Sequence, residues 1–426
     1  MTSVLSLSST RSRLALVCAQ WVQVVTFAYL LIFPIDRNTI LLTVLLAMAI
    51  ASVFVVAVDR RSLAADLRVP AILAAVVMVL GLLVGIGNEG WAHSLIAWVA
   101  APVLFWVWAV SLTEGTIRRL FWVAVGATIL LSVLVLVIAF AMPTALPRAL
   151  HSVFGGDSDG AGLGAAVAIY GSSTLMFTTP MWVVGALLPS RRGLPARGWM
   201  IAAAIVGLIA SLVSSRRATI VLSVAVPVIV LALYWLTRDR TQTTTVSRRS
   251  RFLIIAGVGV VILGGIAASF VPVVQRMATG VLSIVTGVAR SDDERVRLEQ
   301  IPELWRGFLS SPLWGNGIGA TVDGFARNED RPWAFEMQYH LLLFQVGIIG
   351  VALILGAVVL VARALWIAQR RSPEARPVLA VATAAALAVG VANVLNPLLQ
   401  APGHFWSVFL LIACINVALV SKRPAD

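Results

Sequence analysis

The chain has 426 residues, 60% of them hydrophobic and 12% charged, with a formal net charge of +13. These shares exclude an ordinary soluble domain, whose apolar and charged fractions lie near a half and a quarter, and they leave a polytopic membrane protein. The positive charge does not point to nucleic acid, because the basic residues are scattered in short turns between apolar runs and form no single face.

A bilayer core of ~30 Å needs ~20 apolar residues in helix, and about twelve runs approach that length. They are 14–33, 39–58, 70–87, 94–112, 120–141, 163–188, 199–213, 218–236, 252–271, 337–361, 378–395 and 405–420. Cytoplasmic turns retain Lys and Arg. With both termini inside, 21 of the 32 basic residues fall on the inner side, which makes the net charge a topology signal. Arg11 and Arg13 precede the first run as they would in a signal peptide, but no small-residue cleavage site follows, so the run reads as a retained helix. Cys18 and Cys414 sit inside runs and indicate neither a disulfide framework nor a metal site. The whole of 1–426 reads as one polytopic membrane domain, with a long extracytoplasmic loop at 272–336 between the ninth and tenth spans.

The first five runs read as scaffold, joined by short turns. Asn88, Glu89 and His93, in an outer turn, read as solvated residues. The outer segment 142–162 is rich in Pro and Gly and holds His151, Asp157 and Asp159. Its DSDG opens like a calcium loop but lacks the remaining ligands, so no metal is expected there. Arg216 and Arg217 then fall at an outer helix end. A charge at that depth must reach water, a headgroup or a partner, and the positive-inside bias disfavours an Arg pair on this side. They are either snorkelling side chains or ligands. The basic, Thr-rich inner turn at 237–251 reads as a topology anchor near anionic lipid.

In the long outer loop, Ser291 and Glu294 form a capping box that predicts a helix start. Arg297, Ile301, Leu304, Trp305, Phe308 and Leu309 follow at helical spacing, the pattern of an amphipathic helix on a membrane surface. Pro302 is expected to split or kink it. Gly315, Gly317 and Gly319 predict a tight turn with close backbone approach. Glu336 then precedes or opens the run 337–361, with His340 one helical turn further along the same face. Such an acid is either a solvated helix-start residue or a positioned base.

Together these residues resemble the O-antigen ligase and polysaccharide polymerase superfamily, integral membrane glycosyltransferases that use polyprenyl-diphosphate-linked glycans. Ser215-Arg216-Arg217-Ala218 resembles that family's Ser-Arg-x-Ala. Arg297, followed fifteen residues later by Pro312-Leu-Trp-Gly315-Asn-Gly317, resembles its Arg before a Pro-x-x-Gly-x-Gly turn. Glu336 to Gly350 resembles its helix motif ending in Gly-x-x-Gly, here Gly347 and Gly350. Position 336 departs from the ligases, which carry His there, and Glu is similar to the polymerase side of the family. Met337 and Ile301 also depart from its usual residues.

The resemblance implies an all-α, GT-C-like fold and an active site on the outer face of the cytoplasmic membrane. The implied donor is a polyprenyl-diphosphate-linked glycan and the implied acceptor a second glycan, with a flippase and a chain-length regulator as conceivable partners and no nucleic acid. It also implies an inverting, metal-independent and cofactor-free reaction. Arginine forks stabilise a departing diphosphate without a metal, and Arg216 and Arg297 are the candidates. Glu336 is the candidate base. Arg217, His340, Gly315 and Gly317 would line the substrate. A ligase acting on a different acceptor is a near alternative. A twelve-helix transporter is a distant one, since no half-to-half repeat is found and the polar residues gather on one side.

Overall fold

The computed structural model describes residues 2–34, 39–141, 169–213, 217–237, 292–327, 329–394 and 396–420, with short pieces at 149, 153–154, 158–159 and 166–167. Helices run over Thr2–Ile32 (α1), Thr39–Asp59 (α2), Ala65–Val84 (α3), Trp91–Ser111 (α4), Glu114–Ala141 (α5), Leu175–Leu187 (α6), Arg197–Val213 (α7) and Arg217–Leu236 (α8). After the loop come Asp292–Ser310 (α9), Gln338–Arg371 (α10), Arg376–Ala392 (α11) and Trp406–Val420 (α12). The other regular pairing is a two-residue antiparallel one, Ser158–Asp159 with Ala166–Val167.

Among the described residues, nine helices are long and apolar enough to cross a membrane, so the protein is an all-α, multi-pass membrane protein. The expected span at 199–213 is the 17-residue α7. The expected span at 163–188 is shorter than its hydropathy suggests. Its α-helix is α6, of 13 residues, entered through a 3₁₀ turn at Tyr170–Thr174 in which Ser172, Ser173 and Thr174 are buried. Those hydroxyls bond local or neighbouring carbonyls, Thr174 Oγ1 donating to Leu31 O at 2.6 Å. Such bonds compete with a helical ladder. The expected span at 252–271 lies outside the described residues.

The described connecting turns meet one another at two ends of the helices. At one end, Asn88 bonds the carbonyls of Asn316 and Ile318, and Phe33 stacks on Phe154. At the other, Arg61 bonds the carbonyl of Leu112, Ala64 N bonds Asn416, and Ser372 Oγ bonds Ala418 O.

Between the ends the helices meet through large rings and small residues. Phe27 of α1 stacks on Trp108 of α4 and meets Trp406 of α12 edge-on at 5.4 Å. On α11, Ala380, Ala382, Ala384, Ala385 and Ala388 are buried and let neighbours approach closely. A few hydrogen bonds join helices where lipid offers no alternative partner. Gln23 of α1 donates to Ser52 of α2 at 3.1 Å and to Ser111 of α4 at 2.6 Å, and Trp182 donates to Thr128 at 2.8 Å.

Candidate functional site

Helix α9 is amphipathic, as its spacing predicts, and Pro302 lies inside it without splitting it. Its buried stripe, Gln300, Leu304 and Phe308, recurs every four residues. From that stripe Leu304, with Ile301 beside it, packs with Ala320, Phe335, Met337, Leu341 and Phe344, closing a small apolar cluster between α9, the loop and the start of α10. Arg297 lies one turn before the stripe, so the packing that seats α9 also aims Arg297 at the segment preceding α10.

The turn at 312–319 is fixed by main chain. The run 337–361 was expected to be one uninterrupted helix, but α10 is broken at Gly347, whose φ of 63° and ψ of −173° take it out of the helical ladder. Such angles are essentially confined to glycine. The break detaches Ile348 N and Ile349 N from their usual acceptors four residues back, Phe344 O and Gln345 O. Backbone groups unpaired in lipid cost several kcal/mol each, so all four must find partners. The turn supplies them. Ile348 N donates to Pro312 O at 2.9 Å and Ile349 N to Leu313 O at 3.2 Å, while Phe344 O accepts from Asn316 N and Gln345 O from Gly317 N, both at 2.9 Å.

The same turn bonds the α3–α4 connection, with Ile318 N donating to Gly81 O and Gly90 N to Gly319 O, each at 3.0 Å. Gly317, at φ 81°, passes so close to α3 that a Cβ there would stand 2.2 Å from Gly85 Cα. Gly315 and Gly317 are therefore buried glycines in close backbone contact. Asn88, expected to be a solvated turn residue, holds this junction from the α3 side through its two carbonyl bonds, at 2.9 and 3.0 Å.

Above the junction stands Glu336. It precedes α10, so it shares no helical face with His340, contrary to expectation; His340 is half-buried with no hydrogen bond among the described residues. Glu336 Oε2 accepts Arg297 Nε at 2.5 Å, and Oε1 accepts Arg327 Nη2. Its backbone N–H donates to Gln300 Oε1 at 2.7 Å, and Gln300 is itself oriented by its Nε2 bond to Val296 O. On the other side Gln400 Nε2 donates to Phe335 O at 2.8 Å and to Gln338 Oε1 at 3.2 Å. Two amide side chains thus hold the peptide that carries the acid.

The side chains are 12% exposed for Glu336, 27% for Arg297 and 38% for Arg327, so the cluster is reachable from solvent. Each arginine uses one N–H on Glu336, and among the described residues neither guanidinium has a second hydrogen-bond acceptor. Two guanidiniums against one carboxylate leave a net positive site with several unassigned donors, an arrangement suited to a polyvalent anion.

Arg297 and Glu336, 39 residues apart, are thus brought together. Arg216 lies outside the described residues, and Arg217 is described only as the first residue of α8. His151 and Asp157 also lie outside them. Arg327, Gln300 and Gln400 were not foreseen. The one available signal was Gln300, a polar residue at a position where the helical stripe demands an apolar one.

No protein-family model matches this chain, and a search of curated proteins returns no significant match.

Among the described residues no group of His, Cys, Asp or Glu has the makings of a metal site. A cavity of about 410 Å³ opens at the opposite end, between Asp59, Arg60, Arg61, Thr113, Glu114 and Asn416. It belongs to the turns expected inside, and Arg61 there is paired with Asp59 at 3.2 Å.

Proposed function

We propose that the protein is a membrane glycosyltransferase that joins polyprenyl-diphosphate-linked repeat units into a polysaccharide on the outer face of the cytoplasmic membrane. The observation that carries this reading is the Glu336 carboxylate held between the guanidiniums of Arg297 and Arg327 where α10 begins. A lipid-linked diphosphate presents its charge at that kind of boundary, with its chain in the bilayer and its glycan in water. Twelve spans, with the termini in the cytoplasm, put this end outside.

In the proposed reaction the acceptor hydroxyl oxygen attacks the anomeric carbon of the donor. The bond from that carbon to the diphosphate oxygen breaks, and its electron pair leaves with the diphosphate. Arg297 and Arg327, assisted by Arg216, stabilise that charge as it develops, the largest electrostatic contribution such a site can make. Glu336 takes the hydroxyl proton. Backside attack inverts the anomeric configuration. No metal is required, because the guanidiniums do the work that a cation does elsewhere.

The test is to incubate the purified protein in lipid with a polyprenyl-diphosphate-linked repeat unit as sole substrate and to separate the products by size. A ladder of lengths is expected. Transfer only after a second acceptor is added would make the protein a ligase. No reaction with any lipid-linked glycan would overturn the reading in favour of transport.

A further inference from the structure

We propose that Glu336 is a built-in competitor for its own anion site, occupying Arg297 and Arg327 in the unloaded protein until a diphosphate displaces it. The proposal rests on the glycosyltransferase reading for its ligand and concerns how that site is loaded.

Each Glu336 oxygen already carries a charge-assisted hydrogen bond, Oε2 from Arg297 Nε at 2.5 Å and Oε1 from Arg327 Nη2. Arginine has five N–H donors, and each guanidinium here places one of them on the acid. A diphosphate offers more oxygens and more charge than a single carboxylate, so it can engage both forks side-on where Glu336 engages each through one bond. The exchange is local, because the cluster is partly open to solvent and no helix has to move. Glu336 also has little freedom to drift when its side chain is displaced. Its N–H is held by Gln300 at 2.7 Å and the preceding carbonyl by Gln400 at 2.8 Å. Loading the donor therefore does two things at once. It assembles the guanidiniums on the leaving group, and it frees the carboxylate oxygens to accept a hydroxyl proton beside it. Before loading, the base is occupied, which suppresses proton removal from water or stray hydroxyls in an empty site.

The opposing account makes Glu336 a brace that positions the arginines for the anion, and the two accounts predict opposite signs. Inorganic pyrophosphate is titrated by calorimetry into the full chain held in phosphatidylcholine nanodiscs. Competition predicts that Glu336→Gln binds pyrophosphate about tenfold more tightly than the native protein, the factor that ~1.4 kcal/mol represents, and that Arg327→Ala binds it more weakly. Equal or weaker binding by Glu336→Gln overturns the proposal, as does an absence of pyrophosphate binding in both proteins. If Glu336→Gln fails to fold, Glu336→Asp replaces it. That variant keeps the charge on a shorter arm, and it should bind pyrophosphate a few-fold more tightly; unchanged or weaker binding is again fatal. This readout requires no glycan transfer. Tighter binding with no transfer from any lipid-linked glycan would leave the competition intact and remove the glycosyltransferase reading, and transfer by the native protein without tighter binding in the variant would do the reverse.

Discussion

Helices α1, α4, α6, α11 and α12 meet through Phe27, Trp108, Phe177, Trp182 and Trp406, all fully buried, set against the alanines of α11. The junction of α3, α10 and the 312–319 turn is joined chiefly by backbone hydrogen bonds, to which the Asn88 side chain adds two. In the first region stability is the sum of many dispersion contacts, each weak and each replaceable by a neighbour that shifts. In the second it depends on whether a few peptide groups face one another, and nothing can shift without unpairing one. The two regions should therefore fail differently, and the charged cluster that rests on the second should fail in a third way, by losing chemistry alone.

The sharpest separation comes from Gly317→Ala. Its Cβ would meet the α3 backbone at 2.2 Å, and a main chain pinned on both sides cannot yield, so a loss of more than about 4 kcal/mol and little folded protein are expected by thermal-shift and detergent-stability assays. Phe27→Ala should be next, costing about 3–5 kcal/mol through the cavity it leaves. Unlike Gly317→Ala it should leave a folded fraction whose activity per molecule is normal, and reduced specific activity would mean that the scaffold and the site are coupled.

Arg297→Ala should reverse that pattern. Product formation falls by about 10²–10³-fold, the usual effect of removing a charge-stabilising donor, while the melting temperature changes little. Product at native levels would remove Arg297 from the reaction. Gln300→Leu keeps the size of the buried stripe residue but deprives the Glu336 N–H of its acceptor. It should cost about 1–3 kcal/mol in stability or in turnover, and a variant indistinguishable from the native protein would show that the peptide needs no such support. Arg306→Ala is the smallest change. Its pairing with Glu303 lies on the exposed side of α9, with the Arg306 side chain 68% exposed, and pairs of that kind contribute between 0 and about 1 kcal/mol. A large effect there would extend the site to the far face of α9.

How much of this was legible depends on the kind of signal each element leaves. Long apolar runs between basic turns are written in composition, and among the described residues nine of them are helices of the required length. Arg297 and Glu336 were legible as a pair through motif order. Arg327 was not, because it lies in a loop with no periodicity to mark which way it faces. Gln400 follows the expected run 378–395, where a polar residue reads as solvated. The break at Gly347 left no trace in hydropathy, since the apolar run continues through it and a glycine within a helix costs only about 1 kcal/mol relative to alanine. Nothing in the spacing announced that the loop would complete the ladder that this glycine interrupts.

Because the turn takes over the hydrogen bonds that α10 gives up at Gly347, the loop is fastened to the helix partway along its length. Loops that hang from helix ends rise and fall with their own length, but this one is keyed to a rung of a bilayer-crossing element. The height of the arginine pair above the lipid is then a property of α10. A thicker or thinner membrane that tilts α10 would carry the charges with it.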